Sequence, residues 1–568
     1  MPITLRLWAM KFWSRASSVR PDWAAYAFVL AIASILFLPR LGERGVVSEE
    51  FRWAEVAREM RLSGDYFHPT LNGQSYYDKP LGTYWLIVAA SFFTGEVNET
   101  AVRLPPACAG LLAVFLVMSL ARRIYDERTA LWSGLILATS FGVMFYARRG
   151  TADMETTVGV LAAIWLYERC HTRPGPWMIG LCSIMAITSQ MKGLLGFALP
   201  GAVLLMHGIW LAMAHRGEAV PRKRWLIDSN RWLAQPWTMV AVPITAGLYL
   251  GPYVISSMTG SSDGLNWVYL ENIQRFVAPR NHLGPPYLYI FVLLILTAPW
   301  SAFLPAALCT AREGRDRLAW SYFLAVFLFF TVSASRRSYY LLPITPAAAL
   351  LLGRSLALPT DMLFPLARRL RAGGFIICML GTALAGLLLL PIQRILPLPY
   401  ATLPALPGWW LFLAGWLVAA LAIVGIVLRQ IDPRRFVAGV SVAVNAYLFL
   451  TILPAAELVR PRREFIEDVA HYRSDIQHVG LCDAQELVFD LHLWPPVPQF
   501  PTTQQAMTAL QNGEVDSLLI SRRRWAEVRV PIDVLATESS QPWESPGALH
   551  DKMMLLKLSR PVHAAHAP

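Results

Sequence analysis

The chain of 568 residues is 55% hydrophobic and 15% charged, with a mean hydropathy of +0.42. A soluble globular protein carries about a quarter charged residues, so these proportions exclude an ordinary soluble enzyme, and 26 Phe, 21 Trp and 19 Tyr exclude a disordered or fibrous chain. What remains is a polytopic α-helical membrane protein, whose formal charge of +12 reflects orientation in a bilayer rather than nucleic acid.

Arg6, Lys11, Arg15 and Arg20 precede an apolar run from Trp23 to Leu38, and the following Pro39-Arg40-Leu41-Gly42-Glu43 offers no small-residue cleavage site. The run reads as an uncleaved first span over 23–39. At about 20 apolar residues per crossing, further segments lie near 81–95, 104–121, 130–147, 155–168, 175–190, 193–214, 237–258, 286–309, 317–334, 338–357, 373–392, 408–428 and 436–454. Basic clusters at Arg122/Arg123/Arg128, Arg169/Arg173, Arg222/Lys223/Arg224, Arg312/Arg315/Arg317, Arg368/Arg369/Arg371 and Arg429/Arg434/Arg435 belong in the cytoplasm with the N-terminus. Alternation fails only before Arg122, so the weak segment 81–95 is expected not to cross fully. Fourteen segments less this one leave thirteen crossings. Residues 40–80, 148–154, 191–192, 259–285, 335–338 and 393–407 then face the non-cytoplasmic side, with the tail beyond 454.

The tail, 455–568, is polar and forms a second domain after the membrane domain of 1–454. Helical patterns at 463–470 and 502–510 alternate with strand-like runs at 478–481, 486–491, 518–521 and 553–558, which reads as a small α/β domain. Cys108, Cys170, Cys182, Cys309, Cys378 and Cys482 form no CxxC, so neither a metal knuckle nor a disulfide framework is implied.

This topology gathers polar groups on one membrane face. In Ser48-Glu49-Glu50-Phe51-Arg52-Trp53, continuing to Met60, Glu49, Arg52 and Val56 share a helix face, while Trp53, Val56, Ala57 and Met60 form an apolar stripe. The pattern predicts an amphipathic helix lying on the surface, and it equally fits an interfacial anchor with solvated charges. Asn72-Gly73-Gln74-Ser75-Tyr76-Tyr77-Asp78-Lys79-Pro80 delivers an acid and an amine to the start of an apolar segment. Lys79 there either binds a phosphate or snorkels beside Asp78. Asp153 and Lys192 interrupt apolar runs, where ionisable groups are expensive. Arg275 follows Glu271-Asn272, and the pair Arg336-Arg337 lies outside against the positive-inside bias, ahead of Tyr339-Tyr340-Leu341-Leu342-Pro343. Such a pair calls for a local anion. Carboxylates and cations on one face suit a lipid-linked phosphate with a polar head, a glycosyl phospholipid.

In order along residues 40–350, Glu49-Glu50-x-Arg52-Trp53-Ala54-Glu55, Gly64-Asp65, Leu71-Asn72-Gly73, Tyr77-Asp78-Lys79-Pro80, Asn98-Glu99-x-Ala101-Val102-Arg103-Leu104-Pro105 and Tyr339-Tyr340-Leu341-Leu342-Pro343 resemble the bacterial aminoarabinose transferases of lipid A. These are undecaprenyl-phosphate-dependent glycosyltransferases, grouped with the protein O-mannosyltransferases in the GT-C fold. The resemblance implies an inner-membrane enzyme, with its active site and C-terminal domain in the periplasm. It would move aminoarabinose, a related aminosugar or a hexose from undecaprenyl phosphate to lipid A or a similar envelope acceptor. It implies catalytic roles for Glu49, Glu50, Arg52 and Asp153 and lipid-phosphate binding by Lys79, Lys192, Arg275, Arg336, Arg337, Tyr339 and Tyr340. A divalent metal, zinc or another, is placed near Asp78, with no other cofactor and no nucleic-acid partner. Glu49 stands where the family has Asp, Asp78 where it has Glu, and Asn272 where it tends to have a metal-holding His. A protein Ser/Thr or another glycan as acceptor stays open, as does a transporter of lipid-linked sugar, although no internal repeat supports transport.

Overall fold

The computed structural model describes residues 22–172, 175–214, 233–260, 284–310, 314–333, 336–395, 432–457, 460–472, 478–525, 532–539 and 552–558. Helix α1 (Trp23–Phe37) ends where the Arg148 guanidinium collects the carbonyls of Leu36, Phe37 and Pro39, groups a helix leaves unbonded at its C-terminus. In the loop that follows, α2 (Glu50–Ser63) stops at Gly64, whose φ of 75° closes the last turn. The hairpin β1 (Thr70–Leu71) and β2 (Gln74–Ser75) turns on Asn72 and Gly73, both at positive φ, as an Asn-Gly hairpin turn demands. Helix α3 (Gly82–Thr94) has 13 residues. At 1.5 Å per residue it reaches about 20 Å, short of a hydrocarbon core of about 30 Å.

The bundle continues through α4 (Glu99–Ile124), α5 (Glu127–Thr139), α6 (Phe141–Ala147), α7 (Asp153–Cys170), α8 (Trp177–Lys192), α9 (Leu195–Ala214), α10 (Pro236–Thr259), α11 (Leu288–Leu296), α12 (Leu304–Thr310), α13 (Arg317–Val332), α14 (Thr345–Ala357), α15 (Pro365–Ile395) and α16 (Pro433–Tyr447). Asn98 and Asp126 start α4 and α5 by accepting the N–H groups of Ala101 and Thr129. Among the described residues, five helices are long and apolar enough to cross a membrane, or up to seven if each of two bent pairs is one span. The expected segment 408–428 lies outside the described residues.

The two bent pairs are α5 with α6, at 61°, and α11 with the turn and helix Trp300–Thr310, at 111°. They meet at their breaks. Phe141 donates its N–H to the Ala298 carbonyl at 2.9 Å, the Trp300 indole donates to Thr139 Oγ1 at 2.9 Å, and the Asn445 amide of α16 donates to the Thr139 carbonyl at 3.0 Å. Polar groups freed by one break are satisfied by the other, which is how interrupted helices persist inside an apolar bundle.

The tail elements are α17 (Pro461–His471), β3 (Val479–Cys482), α18 (Leu487–Asp490), α19 (Thr503–Gln511), β4 (Ser517–Ser521), α20 (Arg522–Trp525), β5 (Ile532–Thr537) and β6 (Met553–Leu558). The sheet order is β3-β4-β6-β5, with β3 parallel to β4 and the other pairs antiparallel. Alternation puts Leu518, Ile520, Met554 and Leu556 against Ala506 and Leu510 of α19, and Leu519 and Leu555 against Phe465 and Val469 of α17. The run 486–491, expected as a strand, is the short helix α18: the adjacent Leu487 and Val488 enter the same core, which the period of a strand forbids. The edge strand β5, half exposed, was not anticipated.

Candidate functional site

Helix α2 carries the first group of charges, and the structure buries most of them while Arg52 stays exposed. Glu55, Arg58 and Glu59 are buried, which corrects the picture of a surface-lying helix. Residues of the tail pack on this helix: Phe489 joins the core of Phe51, Trp53, Val56 and Met60, and the Leu493 carbonyl accepts from Arg58. Burial pushes the Glu55 carboxyl up to about 7, with neighbouring Glu59 adding to the rise and Arg58 opposing it.

Glu50 heads the helix in a closed frame. Its Oε1 accepts from Arg103 Nε at 3.1 Å and Gly150 N–H at 2.7 Å, and its Oε2 accepts from Arg103 Nη2 at 2.9 Å and Val47 N–H at 3.0 Å. Burial alone would raise this carboxyl, but Arg103, the Gly150 N–H and Arg149 hold it below the usual carboxylate range. A carboxylate offers about four lone-pair sites, and all are used. Glu50, expected to be catalytic, is thus placed as part of the frame, with each acceptor site taken by a protein donor. Arg103 completes the frame by donating to the carbonyls of Leu41, Arg44 and Gly45.

Glu49, one residue earlier, points the other way. It pairs with Arg337 across 288 positions of sequence, and both side chains are about one-third exposed, at 36% and 29%. The Arg337 guanidinium lies 5.6 Å from the Tyr339 ring centre. Over the same Tyr339 ring, at 4.5 Å, and 5.2 Å from that of Tyr340, sits the ammonium of Lys192. Lys192 in turn pairs with Asp153 Oδ1, whose Oδ2 accepts from Thr151 Oγ1 at 2.8 Å. Residues drawn from the first loop, the mouths of α7 and α8, and the turn before α14 thus form one continuous cluster. Arg336 stands apart from it and donates to the carbonyls of Gly284 and Thr331. Arg336 thereby anchors this turn, with its Nε buried and making no hydrogen bond among the described residues.

Lys79 and Asp78 form the next group. Lys79 Nζ donates to Asp78 Oδ2 at 2.9 Å and to the Asp78 carbonyl at 3.0 Å, and the Tyr76 hydroxyl donates to the same Oδ2 at 3.2 Å. The exposed Arg52 bonds Tyr76, so it joins Asp78 and Lys79 rather than Glu49. Gly82 lets this segment press on the end of α8: a Cβ there would sit 2.7 Å from the Gln190 carbonyl oxygen. The mouths holding Lys79 and Lys192 are thereby brought side by side.

Among the described residues, no three His, Cys, Asp or Glu side chains come together to hold a metal. With an ammonium on its Oδ2, Asp78 does not fit a divalent ion, whose charge Lys79 would repel. Arg275 and Asn272 lie outside the described residues.

Two residues escaped the sequence reading. Tyr146 bonds Ser338 and feels the charges of Asp153, Arg149 and Glu49. Arg149, half-buried, lies 5.4 Å from the Phe145 ring, and its guanidinium makes no hydrogen bond among the described residues. Its doublet with Arg148 was the only signal, and one of the two caps α1.

Residues 78–242 match the family model "Dolichyl-phosphate-mannose-protein mannosyltransferase". The chain is 27% identical over 453 residues to undecaprenyl phosphate-alpha-4-amino-4-deoxy-L-arabinose arabinosyl transferase 2 of Pseudomonas fluorescens, covering 77% of this chain and 72% of that protein. It is 30% identical over 344 residues to the arabinosyl transferase of Edwardsiella ictaluri, covering 57% and 58%. The crystal structure of ArnT from Cupriavidus metallidurans bound to undecaprenyl phosphate superposes with a TM-score of 0.69 at 21% identity, over 93% of this chain and 97% of that one. The chain is similar to these aminoarabinose transferases and shares the membrane fold of ArnT, the GT-C fold. In this membrane fold the cluster from Glu49 to Asp153 draws its side chains from helix mouths far apart in sequence.

Proposed function

We propose that this chain transfers a sugar, aminoarabinose or a related aminosugar or hexose, from undecaprenyl phosphate to lipid A or a similar envelope acceptor at the periplasmic face of the inner membrane. The observation that carries the reading is the joining of the Glu49–Arg337 and Asp153–Lys192 pairs through the faces of Tyr339 and Tyr340. With Arg149 close by, three cations face two carboxylates, a net +1 that suits an anionic ligand.

In the transfer, the bond between the anomeric carbon and the donor phosphate oxygen breaks, and a bond from that carbon to an acceptor oxygen forms. Charge collects on the departing undecaprenyl phosphate. Lys192, Arg337 and Arg149 are placed to stabilise it, with Lys79 anchoring the phosphate at the membrane surface. Glu49 and Asp153 orient the acceptor. A phosphate acceptor arrives already anionic, whereas a hydroxyl acceptor would give its proton to Glu49. The relatives named above support the donor and the sugar; lipid A as acceptor rests on the resemblance of the motifs.

The test is mass spectrometry of lipid A and lipid-linked sugars from cells with and without the gene. Loss of one aminopentose from lipid A is the expected result. Unchanged lipid A with accumulated undecaprenyl-phosphate sugar would move the acceptor to a protein or another glycan, and no change in either pool would favour transport.

A further inference from the structure

The tail grips the loop that carries the site. Asn72, at the turn of the hairpin, donates its side-chain N–H to the Val497 carbonyl at 2.8 Å and accepts the Val497 N–H at 2.9 Å, so one amide side chain pairs with both polar groups of a backbone residue in the tail. Beside it, Gly73 lies so close to Pro496 that an added Cβ would meet the ring at 2.9 Å. Arg58 Nη2 donates at 2.7 Å to the Leu493 carbonyl while its fork holds Glu55 at 2.7 and 2.8 Å. Glu59 ties the hairpin back to α2, accepting from Thr70 Oγ1, the Asn72 N–H and the Gly73 N–H. On the other side of Glu49, Arg460 donates to the Val46 carbonyl at 3.5 Å, next to Gly45.

These contacts bracket Glu49, and the hairpin that Asn72 pins runs directly into Tyr76, Asp78 and Lys79. We propose that the C-terminal region is a positioning clamp for the transfer site: segment 493–497 holds α2 and the hairpin rigid, and through them sets the Glu49 carboxylate against Arg337 and Lys79 at the membrane surface. Asn72 and Arg58 are positioning residues in this scheme, since neither touches the reacting atoms. The bundle supplies the other half of the vice through Glu50 and Arg103. A helix pinned at both ends keeps its N-cap residue in place, and a misplacement of about 1 Å at a reacting group costs about a hundredfold in rate. The clamp rests on the proposed transfer reaction for its purpose, but its geometry does not.

Asn72→Gly separates the two duties of that residue. Glycine accepts the φ of 51° that the turn requires, while both bonds to Val497 disappear. Val497→Pro removes the same N–H from the tail side without touching the loop. The full chain in lipid nanodiscs is assayed for transfer from undecaprenyl-phosphate-linked aminoarabinose, with amide hydrogen exchange read over residues 49–63. For Asn72→Gly, exchange in α2 rises and kcat falls about tenfold to a hundredfold, with the thermal midpoint of the bundle unchanged. The double variant is no worse than the poorer single one, as expected for two halves of one interaction. Wild-type exchange in α2, or faster exchange with wild-type kcat, overturns the clamp, as does full additivity of the two variants. Absence of transfer by the wild type would refute the functional reading instead, and the exchange data would decide the clamp on their own.

Discussion

The frame around α2 and the mouth of the bundle both gather carboxylates and cations, yet they use them differently. In the frame, Glu50 fills all its acceptor sites, Glu59 takes three donors, and Arg103 spends its donors on one carboxylate and three carbonyls. At the mouth, Glu49 meets one guanidinium and stays part exposed, Lys192 faces two aromatic rings, and Arg149 has no hydrogen bond to its guanidinium among the described residues. Saturation, more than charge or burial, separates a group that holds the fold from one free to meet a ligand.

The largest effect is expected in the frame. Arg103→Ala strands the buried Glu50 carboxylate, which costs about 3–5 kcal/mol. The protein should accumulate poorly in membranes and melt early by fluorescence-detected size exclusion; wild-type melting would mean that Glu50 has other support. Next in size is Glu49→Gln, which keeps the shape but discards the charge. Transfer should fall at least about a hundredfold, the range of a lost acid–base group, with the melting temperature unchanged. If activity survives, the mouth does not use Glu49, and the contrast between the two carboxylates loses its meaning.

The smallest effect is a pH dependence of the tail docking. Burial pushes Glu55 and Asp490 each up to about 7; for Asp490, Glu99 and Glu486 add to the rise while Arg462 and Arg460 oppose it. A carboxyl whose folded pKa is raised favours the protonated state, so its contribution is complete below the unfolded pKa and is lost as pH rises toward 7. Limited proteolysis of the tail should quicken between pH 5 and pH 7, and Glu55→Gln should flatten that rise. A rate independent of pH would show that neither group titrates within the interface.

Much of this was legible in residue order. Apolar runs marked the helices, and the brevity of 81–95 foretold α3 at 13 residues. Lone charges in apolar runs pointed to Asp153 and Lys192, because a bilayer tolerates them only with partners, and the Arg336-Arg337 pair stood out by defying the positive-inside bias. Other features were hidden for physical reasons. The amphipathic stripe of α2 was readable, but its polar face and the hairpin after it are held by residues more than 400 positions away, as the Arg58–Leu493 and Asn72–Val497 bonds show. Helix α18 hid because a short apolar run has no period of its own. Arg149 and Arg148 look alike in sequence, and only packing decides that Arg148 caps α1 while Arg149 faces the mouth.

The sequence by itself determined the class of this protein and the supply of chemistry: apolar helices for a bilayer, an Asn-Gly hairpin, and a handful of charges too expensive to be idle. Only the tertiary structure decided which charge serves which end. Glu49 and Glu50 are neighbours of one residue type, and what distinguishes them is that four donors, three of them from distant segments, converge on one of them and a single guanidinium on the other.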